Sequence, residues 1–224
     1  MGKTKTVNEE TQETLVNERN NGADKPYYTQ RNNKEKAVSA CNVTSIIIAL
    51  STAGYPMEKF SPCGEQPEDL LMRFIYSDNA TLNRWKQLDP KGSIPPNQWH
   101  AVLAYGTVRW LKTFGYDSAY VVFHEAVSRE EIVSLIDDGG AAVISGVFPQ
   151  EGKSLLNHIV TITGYGTDKN GFYFIIDDPW GDYHTGYKNQ RGKAVKMPIE
   201  DFDKMMKPQP QEKKWAHIVR RFNP

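Results

Sequence analysis

Residues 157–180 read "NHIVTITGYGTDKNGFYFIIDDPW", and no other stretch limits the possible folds as much. Two segments of alternating apolar residues flank "TDKNG", whose Asn170-Gly171 pair is the usual chemistry of a tight hairpin turn. The pattern predicts two antiparallel strands. Placing Tyr165 opposite Phe172 sets His158 almost opposite Asp178, because facing positions in such a pair share one side of the sheet. A slip of one residue would separate them.

The second constraint is "ACNVTSIIIAL", residues 40–50. Ile46, Ile47 and Ile48 favour a strand by propensity. Val43, Ile46, Ile47 and Leu50, however, recur at the spacing of one helical face. Ser39 is a candidate cap, and Gly54 followed by Pro56 is a stop signal. Periodicity and punctuation together predict a buried helix over 41–53.

Other helices are expected in "QPEDLLMRFIY", between Pro96 and Gly115, and in "SREEIVSLIDDGG" with its Ser128–Glu131 capping box. Short strands are expected at "AYVVF", "AAVISGV", "HIVTITGY", "GFYFIID" and near "WAHIVRRF". Early helices and late strands predict an α+β domain with a mainly antiparallel sheet. Residues 1–25 are polar and nearly devoid of aromatics, which predicts a mobile tail ahead of a single domain over 26–224.

Composition narrows the function. Lys plus Arg equals Asp plus Glu, 27 against 27, so no global charge points to nucleic acid. No apolar run approaches the roughly 20 residues of a membrane span, and the start lacks the apolar core of a secretory signal. Synthesis in a cytoplasm follows, with no membrane insertion. Two cysteines make no disulfide scaffold, and their spacing to the five histidines is not that of a zinc site. No metal or organic cofactor is expected, and the oligomeric state is not legible.

A cysteine at a helix start suits nucleophilic chemistry. The reactive species is the thiolate, which a helix N-terminus and a neighbouring imidazole both stabilise. A carboxylate then orients the imidazole. Cys41, His158 and Asp178 supply these parts, with His184 as the rival imidazole and Asp177 as the rival acid. Gln30, in "YYTQRNN", has an amide that suits a developing oxyanion, together with the Cys41 backbone N–H. Trp180 is a candidate substrate wall, and Asn42 and His184 are candidate substrate contacts. Cys63, in "SPCGEQ", is read as structural or incidental.

"YYTQRNN…ACNVTSIIIAL", "GEQPEDLL", "NHIVTITGYG" and "IIDDPWGDYHTGY" resemble, in order, the papain-like cysteine peptidases related to the bacteriocin-processing, double-glycine leader peptidases. The likeness is to their stand-alone branch in bacteria and phages. The resemblance implies a papain-like fold, with the nucleophile on a central helix and the histidine and acid on adjacent strands. It assigns the nucleophile to Cys41, the base to His158, the orienting acid to Asp178 before the proline, and the oxyanion amide to Gln30. Asn42 stands where many relatives have glycine. The implied activity is hydrolysis of peptide bonds. Peptidoglycan peptide is the implied substrate class, and a phage-lysin role implies release from an infected cell or carriage on a virion. Two alternatives remain: an acyltransferase using the same triad, and an inactive peptidase-like protein that binds peptide or builds a virion.

Overall fold

The computed structural model describes residues 17–61, 64–150, 156–206 and 214–223. Cys63 and most of the loop before Asn157 lie outside them. In chain order the regular elements are β1 (Asn17–Asn20), α1 (Cys41–Thr52), α2 (Pro67–Ser77), α3 (Asn79–Leu88) and α4 (His100–Lys112). They continue with β2 (Val121–Val127), α5 (Arg129–Asp137), β3 (Ala141–Phe148), β4 (Leu156–Asp168) and β5 (Gly171–Asp178). Last come β6 (Gly192–Pro198), α6 (Ile199–Met205) and β7 (Lys214–Val219). The strands form one antiparallel sheet in the order β2-β7-β3-β4-β5-β6. β1 pairs with the far half of β4, past the end of β3. This is the papain-like α+β arrangement that the sequence leads one to expect.

Both faces of the central strands are covered, so they read as unbroken apolar runs. Ala141 and Val143 of β3 pack with α1, α2 and α4, whereas Ala142 and Ile144 pack with α5 and α6. α1 is buried from Asn42 to Thr52, which explains why three isoleucines occupy a helix. Tertiary burial outweighs their strand propensity here. Its polar residues are used to key it to the sheet. Ser45 Oγ donates to the Ile159 carbonyl at 2.9 Å, and Thr161 Oγ1 donates to the Ser45 carbonyl at 2.8 Å. Gly54 stops the helix in the left-handed region, at φ 88°, where glycine is favoured.

Three expectations need correction. Ser39 does not cap α1. Its hydroxyl donates to the Lys36 carbonyl within a 3-10 turn, Ala37–Ser39, and no side chain caps the helix.

The hairpin register also differs, since Asp168 faces Gly171 and Tyr165 faces Phe174. The ladder runs closer to the turn than Tyr165 opposite Phe172 would allow. Those two rings still stack diagonally, with centroids 5.8 Å apart. A bulge then adds one residue to β4 between Ile162 and Gly164, so Ile162 faces Ile176 and Thr161 faces Asp177.

Residues 17–25, read as part of a mobile tail, belong to the fold; residues 1–16 lie outside the described residues. Hydrogen bonds hold this polar segment in place of apolar burial. Beyond the β1 ladder, Asn21 donates to the Ile136 and Gly140 carbonyls, and Lys193 Nζ donates to those of Gly22 and Lys25 at 2.7 Å each. A Cβ at Gly164 would collide with the Arg19 carbonyl, so β1 needs glycine there to approach.

β1, β6, α3 and α6 were not foreseen. For β6 the alternation of buried Val195 and Met197 with exposed Lys196 was the missed signal. For α3 it was Asp78, whose carboxylate caps Thr81 N–H at 2.8 Å.

Ser45→Ala removes a buried donor from the α1–β4 contact. The expected loss of stability is about 1–2 kcal/mol, measured by urea denaturation.

Candidate active site

The first turn of α1 delivers Cys41, and the Ser45–Ile159 bond ties the next turn to the residue after His158. Cys41 is partly exposed, whereas His158 is 3% exposed. Both line one cavity of about 360 Å³. Its other walls include Ser39, Asn42, Gln98, Asn157 and Trp215.

His158 Nε2 lies 2.6 Å from Asp178 Oδ1, and Asp178 is fully buried. The pair meets because of the bulge in β4. Before the bulge, His158, Val160 and Ile162 share a face with Ile176 and Asp178, and Asp177 shares the opposite face with Thr161. Had the register near the turn continued unbroken, His158 would share its face with Asp177.

Asp178 Oδ1 also accepts from the Trp180 backbone N–H at 2.8 Å, and Oδ2 accepts from the Tyr187 hydroxyl at 3.3 Å. The Tyr27 hydroxyl donates to the Asp178 carbonyl at 2.7 Å and accepts from Gly192 N–H at 3.0 Å.

Burial disfavours a charged His158 ring. The negative charge and hydrogen bond of Asp178, followed by contact with the Cys41 side chain, outweigh that penalty and push its pKa up to about 10. Since Nε2 is taken by Asp178, Nδ1 is the nitrogen left to serve Cys41. A thiol, an imidazole and a buried carboxylate therefore stand in series at the foot of a cavity, as nucleophilic acyl chemistry requires.

The Peptidase C39 like family matches this sequence over residues 23–198. The chain belongs to that family. It is a cysteine peptidase. No curated protein matches the sequence. Among solved structures, a crystal structure described as that of a C39-like peptidase from Bacillus anthracis shares 17% identity at a TM-score of 0.52. The match covers 92% of this chain and 100% of the other. At that identity the likeness speaks for the fold.

The remaining candidates of this C39-like peptidase are placed unevenly. Gln30 is 2% exposed and bridges two segments. Its backbone N–H donates to the Pro179 carbonyl at 3.0 Å, and its Nε2 donates to Ala37, in the turn ahead of Cys41, at 2.8 Å. Asn42 lines the cavity, but its amide is engaged with the Asn97 carbonyl at 2.6 Å and with Val43 N–H at 2.8 Å.

Trp180 is not among the residues that line the Cys41 cavity. Its ring lies 3.9 Å beneath the Arg31 guanidinium, whose Nε donates to the Trp180 carbonyl. His184 lines a separate cavity with Asp201 and Lys204, and its Nε2 contacts the Lys196 carbonyl at 2.7 Å.

Sequence reasoning passed over His100, which lines the Cys41 cavity and whose Nδ1 lies 3.2 Å from Nε2 of buried His217. It also passed over Tyr27 and Tyr187, whose only sequence signal was proximity to "RNN" and "DDPWG". Among the described residues no three His, Cys, Asp or Glu side chains cluster as a metal site would, and no helix is long and apolar enough to cross a membrane.

Asp178→Asn removes the charge that holds the His158 proton. The imidazole pKa should fall by roughly two units or more, read by NMR titration. The folded-state value is raised, so protonated His158 stabilises the parent fully below about pH 6.5. That contribution fades as pH climbs towards about 10, and the variant should lack the fade.

Proposed function

We propose that the chain hydrolyses peptide bonds through Cys41, His158 and Asp178. The observation that carries this reading is the buried His158–Asp178 contact at 2.6 Å, with the Cys41 thiol beside the same imidazole. His158 Nδ1 takes the thiol proton, and Cys41 Sγ attacks the substrate carbonyl. The same nitrogen then protonates the leaving amine as the tetrahedral intermediate collapses to an acyl-enzyme. Water, deprotonated by His158, attacks the thioester and releases the second product. Asp178 holds the ring in one orientation throughout.

The developing oxyanion is assigned to the Cys41 backbone N–H and to Gln30. No side chain caps α1 at that point, and Gln30 Nε2 spends one of its two hydrogens on Ala37. A cavity walled by Ser39, Asn42, Gln98 and Asn157 suits a short peptide with small or uncharged side chains. Cell-wall peptide is the substrate class that the resemblance suggests, and its alanines are the residues small enough for those walls.

The test is incubation with purified sacculi and, separately, with plain polypeptides, followed by mass spectrometry of the new termini. Cleavage confined to sacculi supports the wall assignment, and cleavage of polypeptides alone removes it. Cys41→Ala should lower cleavage by at least about 10³-fold while the protein stays folded. Undiminished cleavage by that variant would refute the mechanism.

A further inference from the structure

Each oxygen of a buried carboxylate needs a donor, because an unsatisfied charged atom without solvent is costly. Oδ1 of Asp178 has two contacts, from His158 and from Trp180 N–H. At Oδ2 the contact comes from the Tyr187 hydroxyl, 3.3 Å away. That residue is buried, and its backbone is left-handed at φ 67°, directly after Gly186 at φ 62°. Large aromatic residues rarely adopt this conformation, and they keep it only where the surrounding structure imposes it. Here Tyr187 N–H donates to the Asp182 carbonyl at 3.0 Å and Asp182 N–H to the Asn189 carbonyl at 2.9 Å, closing the loop around the strained residue. The Tyr187 ring stands edge-on to the His158 ring, with centroids 6.2 Å apart at 87°.

We propose that Tyr187 is a positioning residue for the reaction: its hydroxyl orients the second oxygen of Asp178 while its ring backs the His158 imidazole. The proposal rests on the Cys41–His158–Asp178 reading above. Burial, followed by the charge of Asp178, raises the Tyr187 pKa, so the phenol keeps its proton and acts as a donor. The distance is long for such a bond, as is common in catalytic groups before substrate tightens them. Other ionisable groups near Asp178 are His158 on β4, Tyr183 in the same loop and Tyr27 in the N-terminal segment, and Cys41 on α1 acts on both His158 and Tyr187.

Tyr187→Phe keeps the ring and deletes only the donor. Its kcat should fall about tenfold with KM within about twofold of the parent. The basic limb of kcat/KM should move to lower pH by about one unit, because a carboxylate free to turn holds the His158 proton less firmly. Tyr183→Phe is the control: it removes a buried phenol of the same loop that donates to Asp201 at 2.9 Å, and it should leave the limb in place.

The pH dependence of Cys41 alkylation by iodoacetamide, in a Cys63→Ser background, reads the same shift without any peptide substrate. Absence of Cys41-dependent cleavage in the parent would overturn the hydrolytic reading, and the alkylation profile would still decide the role of Tyr187. Profiles of Tyr187→Phe that match the parent in both measurements, or an equal shift in Tyr183→Phe, would overturn the proposal.

Discussion

The contact between α1 and β4 is the constraint on which the site depends. A helix buried from Asn42 to Thr52 has no freedom to roll, and the reciprocal Ser45 and Thr161 bonds also stop it from sliding. Ser45 sits one turn beyond Cys41, and its acceptor is the residue after His158. Fixing that one contact therefore fixes the approach of sulfur to imidazole. Polar groups inside an apolar core are costly unless matched, so the same bonds select a single register for the helix.

A second constraint is the extra residue in β4. Side-chain direction alternates along a strand, so one inserted residue exchanges the two faces beyond it. The bulge between Ile162 and Gly164 places Asp178 on the face of His158 and sends Asp177 to the other side. Asp177 then serves a different purpose: it accepts from Ala194 N–H at 2.8 Å and lies 3.8 Å from Lys193. That lysine holds the carbonyls of Gly22 and Lys25. Two adjacent aspartates thus support opposite sides of one sheet, one facing the imidazole and one anchoring the N-terminal segment.

The electrostatics follow from this placement. A histidine so deeply buried would ordinarily be held neutral, and an equally buried carboxylate at hydrogen-bond distance, aided by the Cys41 side chain, reverses that preference. The carboxylate in turn is held by Trp180 N–H and Tyr187, and its backbone carbonyl by Tyr27. The residues around the Asp-Pro-Trp turn act as a frame for one charge, which accounts for a tyrosine in a strained backbone conformation beside it.

Local signals in the sequence were enough for α1, for the capping box of α5 and for the β4–β5 hairpin, because each rests on periodicity or turn chemistry within about fifteen residues. The pairing of Cys41 with His158 and Asp178 was legible from their order and from the family likeness. The ladder register and its bulge were not, since both depend on β1 and β3 lying against β4. The ordering of residues 17–25 was hidden for a related reason. A polar segment shows no hydrophobic pattern when its stabilisation comes from main-chain pairing and from a lysine more than 160 residues away. By itself the sequence determined the buried helix, the capped helix and the hairpin, and it named the candidate side chains, because those signals are local. Tertiary structure alone decided which aspartate meets the histidine and which groups surround it, because side-chain facing is set by contacts between strands distant in the chain.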